Sequence, residues 1–305
     1  MKQIVKTSVI GSYPINIDAL ELVNDYFSGK MSPWTKYIEQ AVHDMVTAGI
    51  NYVSDGQTRD PFIQLFTRKL RGCRIRDRSE IIGRIEYNNP ITVEDQKYVR
   101  QLLPKNTGLV GILTGPYTLT KSSFDLFYND EKELCFDFAI ALRNEAALLQ
   151  NYVDFISIDE PYFSNEFPEY ANELIGTITK GLSCSTRLHV CGDVSRIIPQ
   201  LVEMPVEILS HEFKASPHLF ESFKEYTSSK KICVGSVRSD DMRIESVEEI
   251  VTHIKKAKTI FGKNVVQLAP DCGQKLLSRE IAFQKLKNLS IAGEILNDGE
   301  RNSFD

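Results

Sequence analysis

The sequence predicts an α/β chain folded as a (β/α)8 TIM barrel, with residues 1–305 forming a single domain. Eight short β-branched runs alternate with longer segments of helical spacing, the pattern of repeated strand-helix units. No glycine-serine linker, low-complexity tract or charge block divides the 305 residues. Polar side chains gather where the runs end, which is the face on which barrels carry their chemistry. A doubly wound open sheet is the competing topology.

The predicted strands lie within 4–14, 50–57, 108–119, 152–161, 186–194, 206–213, 231–237 and 264–272. Helices are predicted over 35–49, 131–150 and 246–262. In the last, Val247, Ile250, Val251, Ile254, Ala257 and Ile260 share one face, and Gly262 suits a C-cap. Residues 73–104 break the rhythm after the second strand. Their alternation in EIIGRIEYNNPITV predicts a hairpin inserted in a βα loop, with Asn88-Asn89-Pro90 as its turn. Arg74, Arg76, Arg78 and Arg84 of this segment form either a solvated charged face, the expected case, or a partner contact.

Thirty-six basic against 41 acidic side chains give a net charge of −5, which argues against a nucleic-acid or anionic-membrane binder. No apolar run approaches a membrane span, and the N-terminal apolar stretch is short for a signal peptide, so a cytoplasmic location is expected. Six cysteines in a chain of this length are better read as core thiols or metal ligands than as a disulfide framework.

The strand ends supply the candidate site. His189 and Cys191 form a His-x-Cys pair, and strand alternation puts both on one face, roughly 6–7 Å apart along the chain. Alone, such a pair is more often a packed core pair than a metal site. Cys272, in Pro270-Asp271-Cys272-Gly273, and Glu212, at the end of the sixth run, complete a plausible tetrahedral zinc set. Packing accounts for Cys135 and Cys184, Cys73 lies in the insertion, and Cys233 reads as a core thiol. His43, His218 and His253 are expected at the surface. His211, next to Glu212, should point between barrel and helices.

Taken in order, Val9-Ile10-Gly11-Ser12-Tyr13-Pro14, Asp55-Gly56-Gln57-Thr58-Arg59, Gly115-Pro116-Tyr117-Thr118, Ile158-Asp159-Glu160-Pro161, His189-Val190-Cys191 and Pro270-Asp271-Cys272-Gly273 span nearly the whole chain. This ordered set resembles the catalytic barrel of the cobalamin-independent methionine synthase family, in a short single-barrel form. The resemblance implies one Zn2+ per chain on His189, Cys191, Glu212 and Cys272, and methyl transfer to the thiol of homocysteine. It assigns Asp159 a catalytic role in holding the substrate ammonium, and Ser12 the substrate carboxylate. Gln57 stands where the long family form usually has a glutamate; an amide still accepts a hydrogen bond from an ammonium, with one charge lost.

Two departures bear on the methyl donor. The long form has a second barrel, and it carries an acid histidine in an Asp-x-His-Ser segment; the matching stretch here is Val234-Gly235-Ser236-Val237-Arg238-Ser239. A folate nitrogen leaves only when protonated, whereas cobalt(I) leaves without a proton. The expected donor is therefore methylcobalamin or a methyl-corrinoid protein. A methyl-tetrahydrofolate or methyl-tetrahydropterin is the alternative, with Asp240 or Asp241 as acid. A zinc methyltransferase acting on another thiol, such as coenzyme M, a metal-free decarboxylase-like barrel and a non-catalytic binding partner are the competing functions.

Overall fold

In the computed structural model, which describes residues 4–28, 33–226 and 230–302, the eight runs form eight parallel strands around one barrel. They are β1 (Lys6–Thr7), β2 (Tyr52–Val53), β3 (Gly108–Thr114), β4 (Phe155–Asp159), β5 (Ser185–His189), β6 (Ile208–His211), β7 (Lys231–Val237) and β8 (Val265–Pro270). Each lies in or against one of the eight predicted runs. Hydrogen bonding follows the order β1-β8-β7-β6-β5-β4-β3-β2, and a parallel bridge between Ser8 and Tyr52 closes the ring. The strands read as near-continuous apolar runs because both faces are covered; β3 is buried from Leu109 to Thr114.

The predicted helices appear at Thr35–Thr47, Glu131–Leu149 and Val247–Phe261. The last begins with a reciprocal capping box. Ser246 Oγ accepts from the Glu249 backbone N–H at 3.2 Å, and the Glu249 carboxylate accepts from the Ser246 N–H at 2.8 Å. Ile250, Ile254 and Ala257 bury the expected face. Gly262 ends the helix at φ 55°, a conformation that suits glycine.

The insertion after β2 is a hairpin, but its turn is not at Asn88-Asn89-Pro90. Arg71–Ile75 pairs antiparallel with Ser79–Glu86, turning through Arg76–Arg78, and Phe124–Asp125 adds a third strand. Residues 87–92 instead lead into a helix at Val93–Leu102. The cause is the fully buried Glu145. Its carboxylate accepts from Tyr87 Oη, the Ile91 and Thr92 backbone N–H groups and Thr92 Oγ1, at 2.6–3.0 Å. Those bonds pin the segment to helix Glu131–Leu149. The hairpin arginines pair within the chain: Arg74 and Arg76 with Glu80, and Arg84 with Asp137.

One ion pair is enclosed. Lys285 Nζ donates to Glu245 at 2.8 Å with both side chains at or below 1% exposure, and also to the Arg243 carbonyl. Glu245 accepts from the Arg238 backbone N–H as well, so the loop after β7 is tied to helix Arg279–Asn302. Lys285→Met is expected to cost about 3–5 kcal/mol in urea unfolding, because it strands a buried carboxylate. Breaking the exposed Arg71–Glu86 pair with Arg71→Ala should change little. Equal effects would refute this ranking.

Candidate active site at the barrel mouth

Loops from neighbouring strands meet at the C-terminal end of the barrel. The turn after β1 and the turn after β8 touch through glycines: a Cβ on Gly273 would lie 2.9 Å from the Ser12 backbone nitrogen. Gln274 N–H donates to the Ser12 carbonyl at 2.8 Å, and Tyr13 N–H to the Gly56 carbonyl at 3.0 Å. Ser12, Gln57 and Cys272 are thereby brought to one rim. Gln57 holds φ 46°, a left-handed conformation rare outside glycine, and such strain is found where a side chain must be aimed.

A cavity of about 320 Å³ opens here, and Ser12, Gln57, Asp159, His189, Cys191 and Cys272 all line it. Phe62, Thr114, Pro161, Lys275 and Leu276 contribute to its wall. His189 Nε2 lies 3.1 Å from Cys191 Sγ, and Cys191 Sγ lies 2.9 Å from Cys272 Sγ. The three ligand atoms fall within 4.8 Å of one another, close enough for one metal ion. Their chemistry fits. Burial, with the charges of Arg187 and His211, keeps the His189 imidazole well below its usual basicity, so it is neutral and has a lone pair to give. The ring's other nitrogen meets Ser210 Oγ at 3.2 Å, which orients it. The hydrogen bond to Cys272 and burial hold the Cys191 thiol well above its ordinary range. Without a cation, the Cys191 sulfur stays protonated.

Glu212 stands apart from this trio, outside the group of mutually close ligand atoms. It is half-buried, and its carboxylate accepts from the backbone N–H of Gly192, the residue after Cys191. His211 points the other way, stacked on Phe223 at 5.4 Å, as alternation requires. Cys233 is a buried core thiol, and His218 is exposed beside Asp193. His253 differs from expectation: it is tucked against β7, where its Nε2 meets the Gly235 carbonyl at 2.9 Å.

Asp159, at the end of β4, has its Oδ1 hydrogen-bonded by Ser157 Oγ at 2.8 Å, and burial raises its carboxyl to about 6 against the pull of Arg187. Several supporting residues escaped the sequence reading. Ser239 Oγ donates to the Cys272 carbonyl at 2.6 Å and accepts from the Cys272 N–H at 3.0 Å, clamping that residue's backbone. Asp271 accepts from the Lys214 and Ala215 N–H groups at 3.0 and 2.7 Å, tying the loop after β6 to the end of β8. Arg187 was findable, since it sits two residues before His189 on the same strand face. Asp271 stands in the Pro270-Asp271-Cys272-Gly273 motif, but its role and that of Ser239 were not readable, because their partners are distant in sequence.

Residues 5–294 match the family model described as the cobalamin-independent synthase catalytic domain. The chain belongs to the cobalamin-independent synthase family. As a member of it, the protein is a methyltransferase of the methionine synthase type. Methionine synthase from Methanocaldococcus jannaschii is 35% identical over 95% of this chain and 99% of its own length. That from Methanothermobacter thermautotrophicus is 33% identical over 94% and 98%. A B12-independent methionine synthase from Shewanella sp. W3-18-1, solved with selenomethionine, shares the fold at a TM-score of 0.83 and 24% identity, covering 98% of this chain and 99% of that one. Among the described residues no helix is long and apolar enough to cross a membrane.

Proposed function

We propose that this family member methylates the thiol of homocysteine to form methionine, at a zinc ion held by His189, Cys191 and Cys272, with Glu212, which stands outside that trio, moving in as the fourth ligand. The observation that carries this reading is one cavity exposing an imidazole and two thiols together with Asp159, Gln57 and Ser12. Zinc would supply the Lewis acidity that keeps a bound thiol ionised and nucleophilic at neutral pH. With zinc bound, two thiolates and a carboxylate would outweigh the dication and make the centre electron-rich. The chain's own residues do the rest. Asp159 accepts from the substrate ammonium, Gln57 adds an amide oxygen, and Ser12 with its backbone neighbours receives the carboxylate. Phe62, Pro161 and Leu276 give the cavity an apolar side.

The family's description as cobalamin-independent counts against the corrinoid donor expected from the sequence, and favours a methylated tetrahydrofolate or tetrahydropterin. Such a donor needs its nitrogen protonated. Asp240 is a weak candidate, because Arg238 binds it at 2.7–2.8 Å and holds its carboxyl below the usual range. Asp241 accepts from the Arg243 N–H at 2.9 Å within the same loop and is the better one. One observation sustains the corrinoid as a second reading: β7 ends at Val237 and runs on into Arg238-Ser239, with no imidazole there to act as acid. Zinc-loaded protein should be assayed with homocysteine and, separately, methyl-tetrahydrofolate, methyl-tetrahydropterin and methylcobalamin. Turnover with a pterin-type donor is expected. Turnover with methylcobalamin alone would reverse the donor assignment, and preference for mercaptoethanesulfonate over homocysteine would reverse the acceptor.

A further inference from the structure

A fully buried arginine crosses the barrel interior beneath the cavity. Arg187, from β5, is 0% exposed. Its Nε donates to Ser157 Oγ at 3.1 Å. Its Nη1 donates to Ser8 Oγ and Gln267 Oε1, both at 3.1 Å, and approaches Cys233 Sγ at 3.8 Å. Its Nη2 donates to the Val9 carbonyl at 2.9 Å, and the guanidinium carbon lies 5.0 Å from the Phe155 ring centre. These partners are hydroxyls, an amide, a thiol and a carbonyl. A guanidinium enclosed by neutral groups is costly to bury, and its attraction to any nearby anion is screened little.

The nearby anion is Asp159. A guanidinium N–H can only donate, so Ser157 Oγ must accept from Arg187 and spend its single proton elsewhere. That proton goes to Asp159 Oδ1, at 2.8 Å. Ser157 and Asp159 are two residues apart on β4 and share the interior face. Arg187 is not part of the cavity wall, so its charge reaches Asp159 from behind, away from the substrate.

We infer that Arg187 is a positioning residue that acts through Ser157 to fix Asp159 as the acceptor of the substrate's α-ammonium, and so sets the preference for an α-amino thiol. This rests on the reading of Asp159 as the ammonium site. The relay commits Oδ1 to Ser157 and presents Oδ2 to the cavity. It also gives the buried carboxylate a counter-charge that survives when no substrate is bound.

The test is a binding comparison on the full zinc-loaded chain, using calorimetry with methionine and with 4-(methylthio)butanoate, which lacks only the amino group. The wild-type protein should prefer methionine. Ser157→Ala should shrink that preference about three- to tenfold by weakening methionine alone, the scale of one ordinary hydrogen bond, because the loss reaches the ammonium only through Asp159. Ser157→Thr, which keeps the hydroxyl, should restore it. Arg187→Met should shrink it likewise; if that variant does not fold, the Ser157 pair decides. Asp159→Asn separates the two claims. If it leaves the preference intact, the ammonium site itself is wrong and the inference falls with it. If it abolishes the preference while Ser157→Ala leaves it whole, the inference alone is overturned.

Discussion

Cys272→Ser is expected to empty the metal site and abolish methyl transfer while the barrel stays folded. A serine hydroxyl is not deprotonated by zinc as readily as a thiol and cannot supply the soft sulfur the site is built around. Residues that merely orient a ligand cost about 10–100-fold in metal affinity when replaced, so losing a ligand should exceed that range. Cys272 is half-buried on the turn after β8, and the apolar core is built from other residues, so the far-ultraviolet spectrum should not move. Cys191→Ser should behave alike, since the same two sulfurs meet at 2.9 Å. Metal analysis gives the answer directly. Wild-type zinc content or wild-type turnover in either variant would refute the assignment.

The barrel was legible because parallel strands buried on both faces leave unbroken apolar runs, and β3 is the clearest case. The hairpin turn was misread for an equally physical reason. Asn88-Asn89-Pro90 has turn chemistry, but Glu145, more than fifty residues away, takes the Ile91 and Thr92 N–H groups and draws the segment into a helix approach. His189 and Cys191 were legible because strand alternation alone puts them together. Cys272 was legible from its place in the Pro270-Asp271-Cys272-Gly273 turn at a strand end. Arg187 stayed hidden in plain view: its position was readable, but its role depends on Ser8, Ser157, Cys233 and Gln267, which only the closed barrel assembles. His253 was misplaced because the carbonyl it meets, that of Gly235, belongs to a strand the helix packs on.

Asp159→Asn should weaken homocysteine use by about one to two decades and leave zinc content unchanged. A charge-assisted hydrogen bond to an ammonium is worth roughly 1.5–3 kcal/mol, which is this range. The amide keeps the shape and one acceptor oxygen but removes the negative charge, so the loss should fall on KM for homocysteine more than on a thiol without an amino group. Zinc should stay because Asp159 is not among the His189, Cys191 and Cys272 ligand atoms. Arg187 adds a further expectation. With Asp159 neutral, its positive charge lies beneath the cavity without an anion between it and the arriving ammonium. Repulsion then adds to the lost attraction, placing Asp159→Asn toward the upper end of the range. Unchanged kinetics with homocysteine, alongside equal use of amino-free thiols, would show that the cavity does not recognise an amino acid.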